Sequence, residues 1–148
     1  MFNKLIYLDN ASTTPLSKNV LKKINEAYKN YWNNSSSTYK NGVKCAIYLE
    51  KIRLKIAETF NAEPEDIIFT SGSSESTSIV FSNLGDKYKT GRVVISEVEH
   101  QATIISANKL RRKGWELYKW PVNEDGMVYI SEIDQVLNKN TTLVSLIW

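Results

Sequence analysis

The chain predicts an α/β fold in which a mostly parallel sheet carries helices on both faces. Three features support that expectation. Val93-Val94-Ile95 and Leu143-Val144-Ser145-Leu146-Ile147-Trp148 are apolar runs with little strand alternation, the pattern of strands covered on both sides. The segments between such runs place apolar residues at helical spacing. From Asp66 onward strand and helix patterns alternate, the rhythm of parallel strands joined by crossover helices.

A short strand is predicted over residues 5–8, ahead of a polar loop over 9–15. From Ser17 a helix follows, with Val20, Leu21, Ile24, Ala27, Tyr28 and Tyr31 on one face. Residues 32–42, rich in Asn and Ser, form a loop. A longer helix spans 43–60 with Ala46, Leu49, Ile56, Ala57 and Phe60 inward, and Asn61 stops it. A strand is predicted over 66–70, a small-residue turn over 71–75, and a helix to about Leu84. Next come a strand over 93–96, a helix over 101–113 stopped by Gly114, and a strand over 115–120. A turn at 123–126, a short helix over 131–137 and a strand over 143–148 complete the series.

Length and composition narrow the function classes. The 148 residues are enough for one globular core, and 42% hydrophobic with 24% charged residues excludes a disordered or fibrous chain. The net charge of +3 is small, and the cluster of Lys109, Arg111, Arg112 and Lys113 falls at a helix end, where cations complement the dipole. No aromatic-basic groove accompanies it, so no nucleic-acid partner is expected. Asp9 breaks the N-terminal apolar run too early for a signal-peptide core, and no stretch reaches membrane-spanning length. A single cysteine, Cys45, excludes an internal disulfide and a cysteine metal cluster. A cytoplasmic chain without membrane contact is the expectation.

Two places can carry chemistry. In Phe69-Thr70-Ser71-Gly72-Ser73-Ser74-Glu75 a turn opens a helix, and free backbone N–H groups there, with two hydroxyls, form a phosphate cradle. The same serines also serve as ordinary helix caps, and both readings stand. Glycine spacing and the missing lysine exclude a dinucleotide fingerprint and a P-loop. The second place is the lone histidine, His100, which follows the strand over 93–96 and so shares a sheet edge with the Gly72 turn. It serves either as a structural residue or as a ligand-facing one. No second histidine makes a metal pair. Ser73 or Ser74 with His100 lacks the Gly-x-Ser-x-Gly elbow of a hydrolase. Cys45, beside an apolar helix face, is expected to be buried and inert.

Taken together, these residues resemble the cysteine desulfurases of the class V aminotransferase family. Tyr7-Leu8-Asp9-Asn10-Ala11-Ser12-Thr13-Thr14-Pro15 is similar to the family's opening. Asn34, Ser36, Ser37 and Gly42 resemble its Asn-Pro-Ser-Ser-x-His-x-x-Gly segment, with Ser35 and Tyr39 in place of the proline and histidine. Residues 68–76 resemble its phosphate turn, with Ser74 where threonine is usual. Glu99-His100 resembles its Glu-His pair, and the closing strand resembles the one preceding Asn-Asn-Glu-x-Gly. Residues 98–102 look closer to the iron–sulfur desulfurases than to selenocysteine lyases.

The resemblance implies a fold-type-I enzyme that uses pyridoxal 5'-phosphate and removes sulfur from L-cysteine, leaving alanine and an enzyme persulfide, in a homodimer serving iron–sulfur cluster assembly. Ser73 and Ser74 would hold the cofactor phosphate, and His100 would face the pyridine ring. No residue of the chain matches the family's Schiff-base lysine, nucleophilic cysteine, ring-nitrogen aspartate or carboxylate-binding arginine, so no catalytic residue and no metal ligand is assigned. The chain is therefore expected to be one partial domain, truncated and inactive alone: an N-terminal segment over about 1–42, then the start of the cofactor-binding large domain over about 43–148. Another class V reaction in the parent enzyme, or a non-catalytic binding module, is the alternative.

Overall fold

The computed structural model describes residues 6–147, and the chain divides into two compact units, the first ending at Ile68 and the second beginning at Phe69. In the first unit Ser17 opens α1 (Lys18–Asn30) by accepting the Val20 N–H at 3.3 Å. The predicted inward face of α1 is not buried: Val20, Leu21, Ile24 and Tyr28 are all exposed. A helical period marks a face but does not provide the surface that covers it. What α1 does gain is an aromatic contact at its C-cap, where the Tyr31 ring stacks on Tyr48 of α2 (Lys40–Phe60) at 3.8 Å between centroids.

α2 stops at Asn61, which adopts φ 51°, the left-handed conformation that asparagine tolerates. Cys45 and Ala57 are buried along it, Ala46 and Ile56 are half-buried, and Leu49 and Phe60 are exposed against expectation.

Two predicted strands are absent. Residues 66–70 form none: a proline-led 3-10 turn, Pro64–Asp66, takes up the first of them. The Ile67 carbonyl accepts from the Arg53 guanidinium on α2 rather than from a ladder N–H. Ile68, which a central strand would bury, is 70% exposed. Residues 6–8 likewise carry no strand, and residue 5 of that predicted element lies outside the described residues, as does Trp148.

The second unit contains α3 (Ser73–Lys87), β1 (Arg92–Ser96), α4 (Gln101–Arg112), β2 (Glu116–Trp120), α5 (Ile133–Val136) and β3 (Thr141–Ser145). A 3-10 turn, Ile130–Glu132, leads into α5, so the helix predicted over 131–137 is a turn and a short helix. The strands form a parallel sheet in the order β2-β1-β3. β1 is central and buried at every position, which is why its sequence shows no alternation. Val93 and Ile95 pack with Phe81 of α3, Ala107 and Leu110 of α4, and Trp115. Val94 faces the other way, onto Trp120 and Val136 of α5. Each such burial stabilises the unit by about 1.5–3 kcal/mol. Both faces are thus covered, as expected. Gly114 ends the α4 region at φ 92°, a conformation open to glycine at no steric cost.

Candidate functional site

α4 leaves the carboxyl end of β1 and runs back along the sheet. Near its C-terminus Lys113 lies 3.7 Å from Asp86, close to the end of α3, and a Cβ built on Gly85 would sit 2.8 Å from Leu110. The C-terminal ends of α3 and α4 are therefore together, and the two helices run parallel. Their N-termini share one end, which is the carboxyl edge of the sheet. The Gly72 turn and His100 stand at that end, although the strand over 66–70 from which the sequence placed the turn there does not form.

The turn is built from its own side chains. The Thr70 and Ser76 hydroxyls lie 2.8 Å apart, and Thr70 Oγ1 donates to the Gly72 carbonyl at 3.2 Å. Ser76 is the first residue whose N–H is taken up by α3, by the Gly72 carbonyl at 3.1 Å. Helix geometry leaves the N–H groups of Ser73, Ser74 and Glu75 pointing out of the helix end without an intrahelical acceptor. Both serines are exposed, and a Cβ on Gly72 would meet nothing within 4 Å. The Glu75 carboxylate accepts the Ser71 N–H at 2.6 Å. That backbone hydrogen bond, reinforced by the Ser71 side chain, holds the Glu75 carboxyl below the usual carboxylate range.

His100 is the N-cap of α4, its Nδ1 accepting the Ala102 N–H at 3.1 Å. The structural reading of the histidine is met by this cap, which uses only Nδ1. An accepting Nδ1 places the proton of the neutral ring on Nε2. One residue earlier, Glu99 is 9% exposed, and its Oε1 accepts from Ser96 Oγ at 3.4 Å and from Ser145 Oγ at 3.3 Å.

The sequence marks Glu99 only through the Glu-His resemblance, and its contacts with Ser96 and Ser145 were missed. The available signal was an acidic residue three positions after the end of β1, with serines closing β1 and β3. Cys45 is buried in the first unit, and a groove lined by Thr90, Gly91, Gly114, Glu116 and Asn140 opens at the opposite, amino edge of the sheet. Among the described residues no cluster of three His, Cys, Asp or Glu could hold a metal ion, and no helix is long and apolar enough to cross a membrane.

A parallel α/β sheet with helices on both faces, one of them opened by a small-residue turn and another capped by a histidine, is the class of fold the structure defines. The match to the family described as Aminotransferase class-V, over residues 6–148, makes the class specific: the chain belongs to that family, whose members depend on pyridoxal phosphate. Its relatives include the mitochondrial cysteine desulfurase of Candida albicans, 34% identical over 144 residues, which cover 95% of this chain and 30% of the relative. Cysteine desulfurase IscS of Neisseria meningitidis serogroup C is 34% identical over 146 residues, which cover 97% of this chain and 36% of that protein. The chain thus spans about a third of the length of the curated relatives it matches.

Solved structures agree. A NifS-like protein superposes with a TM-score of 0.87 at 26% identity, covering 93% of this chain and 38% of its own. The apo cysteine desulfurase of Thermococcus onnurineus NA1 gives 0.85 at 27% identity, covering 97% and 36%. SspA in complex with cysteine gives 0.81 at 26% identity, covering 92% and 40%.

Proposed function

We propose that this chain supplies the phosphate-binding and ring-facing part of a pyridoxal-phosphate-dependent cysteine desulfurase. The observation that carries the reading is the shared sheet edge of the Gly72 turn and His100, in a chain whose relatives are cysteine desulfurases. Residues 43–148 would begin the cofactor-binding domain. L-Cysteine is the proposed substrate, supported by the cysteine complex of the related SspA. A homodimer, a cytoplasmic location, a role in iron–sulfur cluster assembly, and no nucleic-acid or membrane partner belong to the same reading.

The residues present fit the cofactor. Its phosphate is a dianion, and the helix start offers three uncommitted N–H groups, two serine hydroxyls and the positive end of the α3 dipole. Glu75, the one acid in that turn, has its carboxylate engaged by Ser71. When bound, the cofactor supplies an electron sink for bond cleavage at the substrate α-carbon. The chain's own part is to hold and align: Ser73 and Ser74 bind the phosphate, and His100 offers a ring fixed by its bond to Ala102. The lysine and cysteine the family needs for turnover match no residue here, so the 148-residue chain is proposed to be inactive alone.

Titration with pyridoxal phosphate, in a protein that joins this chain to the family's remaining portion, tests the reading. Losing a hydrogen bond to a charged oxygen costs about 1.5–3 kcal/mol, so Ser74→Ala is expected to weaken cofactor binding about tenfold or more. His100→Ala is expected to weaken binding and reduce desulfuration of L-cysteine. Wild-type affinity and activity in both variants would place the cofactor elsewhere. Borohydride reduction of the 148-residue chain with pyridoxal phosphate is expected to give no single stoichiometric lysine adduct, and one mapped lysine would overturn the assignment of no catalytic residue.

A further inference from the structure

We infer that Glu99 is a positioning residue whose buried carboxylate clasps the loop after β1 to the end of β3 and thereby fixes the His100 ring. The inference deepens the proposed cofactor site and rests on that reading only for its purpose, not for its geometry.

The loop from Glu97 to His100 leaves the central strand and is held on both flanks. Toward β2, the Glu97 N–H donates to the Trp120 carbonyl at 3.0 Å. Toward β3, no backbone bond from the loop does the same work among the described residues. Instead the Glu99 side chain accepts from Ser145 Oγ at 3.3 Å and from Ser96 Oγ at 3.4 Å, tying the last residues of β3 and β1 to the loop. Ser145 is 46 residues away in sequence, so the contact is tertiary rather than a local cap. A carboxylate only 9% exposed is costly to bury without partners, and among the described residues two hydroxyls donate to one of its oxygens.

The consequence falls on the next residue. His100 Nδ1 caps α4 through the Ala102 N–H at 3.1 Å, which selects one tautomer and sets the ring plane. That bond survives only while the backbone entering α4 is held, because an N-cap must keep its extended dihedral angles, here φ −63° and ψ 148°. Glu99 is the side chain immediately before that cap, and its clasp fixes the entry direction. Glutamine keeps an acceptor oxygen at the same reach, whereas alanine removes it and leaves two serine hydroxyls facing a void.

His100 is the only histidine of the 148, so a sample labelled with 15N-histidine reports on it alone. In the full chain without cofactor, Glu99→Ala is expected to mix the two ring tautomers and speed Ala102 amide exchange about tenfold, the equivalent of one lost hydrogen bond. Glu99→Gln is expected to retain the wild-type nitrogen shifts and exchange within about twofold, by the same reasoning. Ser145→Ala, far from His100 in sequence, is expected to shift the same signals in the same direction as Glu99→Ala.

A folded Glu99→Ala protein with wild-type His100 shifts and Ala102 exchange would overturn the proposal. If that variant does not fold, Ser145→Ala decides alone: unchanged His100 signals overturn the clasp, and displaced ones support it. None of these readouts involves the cofactor. Failure of pyridoxal phosphate to bind would sink the proposed function while leaving the clasp standing, and silent His100 signals would do the reverse.

Discussion

Glu75, the one acid in the first turn of α3, accepts the Ser71 N–H at 2.6 Å. That bond favours the ionised form and lowers the Glu75 pKa from its ordinary value. A depressed carboxyl pKa contributes stability that is present above the unfolded value and is lost as pH falls through the lower folded value. The Ser71 amide is therefore expected to stay protected at neutral pH and to lose protection only below the normal glutamate range. Glu75→Gln removes this pH dependence. An NMR titration checks it: a Ser71 amide that titrates at or above the ordinary glutamate midpoint would contradict the assignment.

At this scale much was legible in the sequence. Ser17 as a helix start, Asn61 and Gly114 as stops, and the turn at Gly72 all follow from residue chemistry that acts locally. The Glu99–Ser145 contact was not legible, because it depends on which strand lies beside β1.

Elements were legible where local pattern and tertiary surroundings agree. β1 has an apolar centre, Val93-Val94-Ile95, and is buried throughout, and α4 ends within a residue of its expected bounds. They disagree at residues 66–70, where β-branched propensity favoured a strand and the Arg53 guanidinium took the Ile67 carbonyl.

Gly42, in the first turn of α2, shows a constraint that helix propensity alone would misjudge. Alanine is the better helix former by about 1 kcal/mol. A Cβ at residue 42 would, however, collide with the Ser37 carbonyl oxygen and come within 2.8 Å of the Asn34 carbonyl oxygen, both backbone atoms. The loop there is already shaped by the Ser36 N–H on Asn34 Oδ1 at 2.9 Å and the Ser37 N–H on the Asn34 carbonyl at 3.1 Å. Gly42→Ala is thus expected to destabilise, by about 1–3 kcal/mol as overpacking typically does, rather than stabilise. Urea unfolding monitored by circular dichroism measures it, and a gain in midpoint would show that the loop yields freely.

At the scale of the whole molecule, burial is unevenly shared. In the second unit the described core comprises Phe81, Val93, Val94, Ile95, Ala107, Leu110, Trp115, Trp120 and Val136, packed on both faces of one sheet. In the first unit only Cys45 and Ala57 among the described hydrophobic residues are buried, and the apolar face of α1 is open to solvent. Local opening costs least where few apolar contacts are lost, so stability follows this division. Hydrogen exchange of the chain is expected to proceed in order. The α1 amides exchange first, limited by little more than helix fraying, because an isolated amphipathic helix of 13 residues is marginal in water. α2 follows, slowed by its buried Cys45 and Ala57 and by the Tyr31–Tyr48 stack. The β1 amides exchange last, because opening the central strand breaks two ladders and both halves of the core together. Mass spectrometry on short peptic fragments resolves these three classes. Protection of α1 equal to that of β1 would mean that its apolar face is covered in solution, and the uneven partition of stability would fall with it.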